Sequence, residues 1–241
     1  MEQRVSIGSR VLRGFFFKAA AILGLTIAAV LSVSQLFADE PPKPTPQADV
    51  DLPTATFFSA TEHARSFAYV IDRSGSMAMR GSFEIVKREL GKGVDKLPAD
   101  VRFSVNFYNL KPVMLNDAEG HPGLMAATET NKAIVRKQVV AIEPDGGTDH
   151  MDALRLSLTE KPEVVFFLTD GDLMMTKYEV ILLFAVAGKT RIHVAQLGRG
   201  PAKAEESPLQ FLAKLTGGTY RYFDITKFPR QPPKVVEEAR K

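Results

Sequence analysis

The sequence predicts an α/β fold: an open, doubly wound, mostly parallel sheet with helices on both faces, preceded by an N-terminal hydrophobic helix. Three observations carry that expectation. Strand-like and helix-like segments alternate through the middle of the chain. Several strand-like runs are apolar at consecutive positions, as strands covered on both faces require. The segments between them place apolar residues at three- to four-residue steps.

Strands are expected at 66–71 (SFAYVI), 101–108 (VRFSVNFY), 164–169 (VVFFLT), 191–197 (RIHVAQL) and 219–224 (TYRYFD). Helices are expected at 82–97, 124–140, 150–159, 178–187 and 205–215. In the first helix Phe83, Val86, Leu90, Val94 and Leu97 share one face and leave Lys87, Arg88, Lys92 and Lys96 to solvent, the pattern of a helix lying on a sheet. Residues 111–115 read as a short edge strand, because Lys111 and Pro112 suit an edge better than a centre.

The rest of the 241 residues divides around this domain at 55–228. Residues 1–18 form a basic leader, 19–38 an apolar segment, 39–54 a Pro-rich linker and 229–241 a tail. The apolar segment AAAILGLTIAAVLSVSQLFA is uncharged over 20 residues, enough helix to cross the ~30 Å hydrocarbon layer. Arg4, Arg10, Arg13 and Lys18 precede it, and Asp39 and Glu40 follow. This places the N-terminus in the cytoplasm and the domain outside, as a single-pass protein of the cytoplasmic membrane. The same features fit a cleaved signal peptide, which would leave the domain secreted or periplasmic. Pro41, Pro42, Pro44, Pro46 and Pro53 make the linker either a semi-rigid stalk or a disordered spacer.

Charge narrows the function. The formal net charge is +3 and the leader alone carries +3, so the exported remainder sums to zero and no nucleic-acid surface is implied. The absence of cysteine excludes a disulfide scaffold, thiolate metal sites and thiol catalysis.

Ligand crevices in such sheets lie beyond the carboxyl ends of the strands. There the first strand runs into VIDRSGSM, with Asp72, Ser74 and Ser76 at alternate positions. A second loop, EPDGGTDHMDAL, brings Thr148 behind Gly146 and Gly147, and a third, FLTDGDLM, offers Asp170 and Asp172. Two carboxylates with three hydroxyls suit a hard divalent cation, Mg²⁺ or Mn²⁺, rather than Zn²⁺. With so few anionic ligands, the cation would take one more oxygen, either from a partner's carboxylate or from water.

Asp72-Arg73-Ser74-Gly75-Ser76, Thr148 after Gly146-Gly147, and Asp170 in Thr169-Asp170-Gly171 resemble the DxSxS, threonine and aspartate motifs of von Willebrand factor type A domains. The resemblance covers about residues 67–224 and implies a complete metal-ion-dependent adhesion site. It implies that Ser74 and Ser76 ligate directly and Asp72 mostly through water. Thr148 would ligate when a ligand is engaged, and Asp170 would alternate between direct and water-mediated contact. The expected function is cation-dependent protein binding, for adhesion or assembly, through an Asp or Glu of the partner. The alternatives are a metal-assisted hydrolase, or a structural membrane-anchored domain without a metal-bridged ligand.

Other chemistry finds little footing. An aspartyl-phosphate phosphatase would want a second acid where Ser74 stands, a phosphate loop would want Lys after Gly146-Gly147, and no G-x-S-x-G elbow surrounds the serines, so no enzyme is expected. Asp149 reads either as a functional group or as the start of a helix. Tyr108 either borders the ligand face or packs beneath it. Met77, Met79, Met151, Met174 and Met175 form either core packing or an adaptable rim. His63, His121, His150 and His193 are too scattered for a metal cluster.

Overall fold

The computed structural model describes residues 52–171, 175–202 and 205–228. All of these residues belong to the second of the chain's two units, Thr45–Lys241. The leader, the apolar segment 19–38, the linker as far as residue 51 and the tail 229–241 all lie outside the described residues, as does the hydrophobic helix expected before the domain.

The described part of the second unit opens with a hairpin, β1 (Thr54–Phe57) and β2 (Ala60–His63). Its two-residue turn holds Phe58 and Ser59 at φ 44° and 63°, the left-handed pair that suits a tight hairpin. Next come β3 (Ser66–Asp72), a 3-10 helix (Gly75–Gly81), α1 (Ser82–Asp95), β4 (Arg102–Tyr108), β5 (Pro112–Met114) and β6 (Met125–Ala126). Then follow α2 (Glu129–Ala141), α3 (His150–Thr159), β7 (Val164–Thr169), α4 (Lys177–Ala187), β8 (Arg191–Gly198), α5 (Pro208–Leu215) and β9 (Tyr220–Asp224).

Strands β4, β3, β7, β8 and β9 lie side by side in that order and all pair in parallel. β5 and β6 pair antiparallel with opposite ends of β4, so the sheet is mixed. Side chains alternate strictly through it. On β3 and β7, Phe67, Tyr69, Ile71, Val164, Phe166 and Leu168 meet Phe83, Val86, Leu90 and Val94 of α1 and Val135 and Val139 of α2. Ala68, Val70, Val165 and Phe167 face the other way, toward α3, α4 and α5 through Leu154, Leu158, Leu183, Leu209 and Leu212. Helices therefore cover both faces, and β3 and β7 are buried on each.

Three boundaries differ from the sequence expectation. Helix α2 begins at Glu129 rather than Leu124, because Met125 and Ala126 pair with Phe103 and Arg102 and Thr128 then caps the helix on the Asn131 amide. Helix α5 begins at Pro208, where Ser207 and Gln210 form a reciprocal capping box. The first hairpin starts at Thr54, inside the segment expected to be linker, and plants Phe57 against Tyr69 and Phe166.

The single-pass topology is corrected here. Among the described residues no helix is long and apolar enough to cross a membrane. The longest, α1, has 14 residues, about 21 Å at ~1.5 Å per residue against a ~30 Å hydrocarbon core. The membrane partner expected through the N-terminal segment has no spanning helix among the described residues to support it.

Candidate functional site

The carboxyl ends of β3, β4 and β7 meet at one edge of the sheet, and hydrogen bonds lock their loops together. Asp72 ends β3 with its side chain fully buried. Its Oδ1 accepts the Ser74 amide at 2.8 Å, and its Oδ2 accepts the Thr169 hydroxyl at 2.8 Å. Thr169 Oγ1 in turn accepts the Gly171 amide at 2.9 Å, so one hydroxyl joins the first loop to the third. Gly171 sits at φ 73°, a backbone state open to glycine at little cost.

The second loop is tied in by its backbone. The Gly75 amide donates to the Gly146 carbonyl at 2.9 Å, and the Asp145 amide donates to the Arg73 carbonyl at 2.7 Å. From the end of β4, the Asn109 side chain donates to the Asp145 carbonyl at 2.9 Å, while the Asn109 carbonyl accepts the Asp149 amide at 2.7 Å. Thr148, buried, is carried on this loop. The three loops expected from the sequence thus converge.

Within this frame the side chains divide by role. Ser74, nearly fully buried, lies 3.1 Å from Ser76 between hydroxyl oxygens, and Ser76 is partly exposed. Ser76 and Asp170 line a cleft of about 380 Å³ with Met77, Met79, Leu197 and Arg199. The exposed Arg199 guanidinium donates to the Met79 sulfur. Met175 is a core residue, while Met77, buried, and Met79, partly exposed, both line the cleft.

Tyr108 packs beneath the site and does not border it. It is fully buried, stacked on Phe167, and 2.9 Å from His150 Nδ1 through its hydroxyl. Burial, then the charge of Asp72, pushes its phenol well above the ordinary tyrosine value, against the pull of the Thr169 hydrogen bond. Asp149 caps α3 by accepting the Asp152 amide. Asp172 and Met174 lie outside the described residues.

This geometry corrects the metal expectation. Among the described residues no group of three or more His, Cys, Asp or Glu side chains comes together that could hold a metal ion. Of the two acids in the expected ligand set, Asp72 is turned inward, with both oxygens accepting hydrogen bonds that close the loops, while Asp170 is partly exposed. Asp72, Ser74, Ser76, Thr148 and Asp170 therefore do not fit a complete Mg²⁺ or Mn²⁺ adhesion site. The metal bridge to a partner Asp or Glu falls with it.

Two residues that matter here were not singled out in the sequence. Thr169 had a readable signal: it ends the most apolar strand on the face that Asp72 shares, one residue before Asp170. Arg199 follows the last residue of β8 and had none beyond its position at a strand end.

The comparisons fit this geometry. A family model described as von Willebrand factor type A domain matches residues 67–222. Among solved structures, a von Willebrand factor type A protein from Catenulispora acidiphila is 20% identical with a TM-score of 0.57. The match covers 68% of this chain but only 40% of that one. The conserved hypothetical protein BatB from Bacteroides thetaiotaomicron is 14% identical, TM-score 0.52, over 66% of this chain and 90% of its own. The ArnB paralog VWA2 from Sulfolobus acidocaldarius is 14% identical, TM-score 0.51, over 67% and 41%. At these identities the structures share the fold. No curated protein matches the chain.

Proposed function

Since this chain belongs to the von Willebrand factor type A domain family, we propose that it is a protein-binding module that grips its partner directly, without a bridging metal, on the loop face at the carboxyl ends of β3, β4, β7 and β8. It is not an enzyme: domains of this family are generally non-catalytic adhesion or assembly modules. The observation that carries the reading is the hydrogen-bonded closure of three loops around Asp72, which presents Ser76 and Asp170 at a preformed cleft.

Preformation lowers the ordering cost of binding. In this reading Asp72 and Ser74 hold the loop, Thr148 is buried within the second loop, and Ser76 and Asp170 meet the partner. Met79 supplies polarizable apolar contact at the wall, and Arg199 a cation at the rim.

The test is affinity capture on immobilised full-length chain, followed by reconstitution of binding with the purified captured protein. Binding is expected to survive chelator and to weaken by at least ~tenfold in S76L, the effect of placing a bulky apolar group in a polar contact. Binding abolished by chelator and restored by Mg²⁺ would overturn the metal-free reading. Binding unaffected by S76L, D170N and R199A together would overturn the location.

A further inference from the structure

The hairpin β1–β2 lies on the face of the main sheet that α1 covers, yet shares no ladder with it: among the described residues its strands pair only with each other. A lone two-stranded hairpin is marginal in water, so side chains must hold this one down. Phe57, buried, meets Tyr69 and Phe166, and Phe58 meets Phe223 of β9 edge-on. Gly93 of α1 makes room for the first strand, since a Cβ there would stand 3.2 Å from the Thr56 carbonyl.

A polar cluster fastens the second strand to β8. Glu62 Oε2 accepts Arg191 Nη2 at 3.0 Å and Nε at 3.2 Å, and Arg191 Nη2 also donates to the His63 carbonyl at 3.2 Å. Glu62 Oε1 lies 3.0 Å from Nε2 of the buried His193. The Thr219 amide donates to His193 Nδ1 at 3.1 Å, so the neutral ring carries its proton on Nε2, facing Glu62. Other charged and titratable groups nearby are turned elsewhere. Glu163, ahead of β7, accepts the Arg65 amide, His63 pairs with Thr54, and Arg221 of β9 lines a small pocket with His193.

The closed position also carries a cost. Beneath the hairpin and beside Gly93, the Tyr69 hydroxyl is fully buried with no hydrogen-bond partner among the described residues. Lifting the hairpin would give that hydroxyl water, so closure depends on the contacts that oppose it.

We propose that the hairpin is an acid-released strap: protonation of Glu62 unfastens it from Arg191 and His193, and residues 54–63 lift away while the sheet beneath stays folded. The neutral acid leaves the Arg191 guanidinium without its counter-charge. Burial pushes the Glu62 carboxyl up, but the His193 hydrogen bond and charge, with Arg191, outweigh it and hold the group below the ordinary 4.5. The latch is therefore complete above 4.5 and is lost as pH falls below it. This device does not depend on how the loop face binds.

The test is hydrogen exchange read by mass spectrometry on the full-length chain, with rates corrected for the intrinsic effect of pH. Between about pH 7 and about pH 3.5, amides of 54–63 are expected to lose protection by at least ~tenfold, while those of 66–72 and 164–169 keep theirs. E62Q is expected to open the hairpin at about pH 7 by a similar factor and to respond little to further acid. A hairpin that keeps its protection at about pH 3.5, or that loses it only together with β3, would overturn the proposal. So would an E62Q hairpin that exchanges like that of the unaltered chain. The first two outcomes need no substitution, so they decide the matter even where E62Q does not fold.

Discussion

The Thr169 hydroxyl donates to Asp72 Oδ2 across 2.8 Å between two fully buried residues 97 positions apart, and Thr169 Oγ1 itself accepts the Gly171 amide. It joins the first and third loops through side chains at their base. Replacing it with an isosteric apolar group takes a donor from a buried carboxylate. T169V is expected to destabilise the fold by roughly 1–3 kcal/mol and T169S to restore most of the loss, both read from urea unfolding. A T169V midpoint equal to that of the unaltered chain would remove Thr169 from this role.

Gly171 makes a second, independent test of the same corner. At φ 73°, any side chain is strained, and an added Cβ would collide with the Gln196 amide. G171A is expected to cost about 1–2 kcal/mol from the left-handed backbone alone, seen as a lower thermal midpoint. A gain in stability would mean that the loop relaxes freely.

Alkaline pH should unfold the protein through its buried phenols. Burial raises Tyr69, and burial with the Asp72 charge raises Tyr108, above the ordinary value of 10.0. Their pKa values are higher folded than unfolded, so their contribution is complete below pH 10.0 and is lost as pH rises past it toward the folded values. Phenolate absorbance should show at least two of the five tyrosines ionising only with unfolding, and Y69F should reduce the alkaline slope of stability. Titration of all five before the fold is lost would refute this.

Acid pH acts through Glu62. Burial alone would raise its carboxyl, but the hydrogen bond and charge of His193, with the Arg191 guanidinium at 3.0 Å, outweigh it and hold the group below the ordinary 4.5. A lowered folded pKa gives a contribution complete above 4.5 and lost as pH falls below it. E62Q should therefore flatten the acid limb of the stability profile while leaving the alkaline limb alone. An unchanged acid limb would show that the pair carries no net stability.

The sheet was legible because its strands are buried on both faces, and runs such as Val164–Thr169 leave little else for the chain to form. The first hairpin was not, since Phe58 and Ser59 take left-handed geometry without the Asn-Gly or Asp-Gly that would announce it. Met125 and Ala126 read as helix because two residues of edge strand offer no period to detect. Similarly, residue types and spacing located the three loops at the sheet edge. They could not reveal that Asp72 turns inward to Thr169 and Ser74, since the direction of a carboxylate is a tertiary fact, and the metal expectation depended on that direction.

The strand order has a consequence for how the molecule is made. β3 is paired on one side with β4, thirty-odd positions downstream, and on the other with β7, which lies beyond α3. During synthesis the central strand waits with one apolar edge open until Val164–Thr169 has emerged, a long-range closure of the kind that slows folding and exposes intermediates to aggregation. The loops that face a partner are the last thing this closure assembles. A chain that has stalled short of β7 has no site to offer, so binding competence waits for Thr169 to reach Asp72, 97 positions before it.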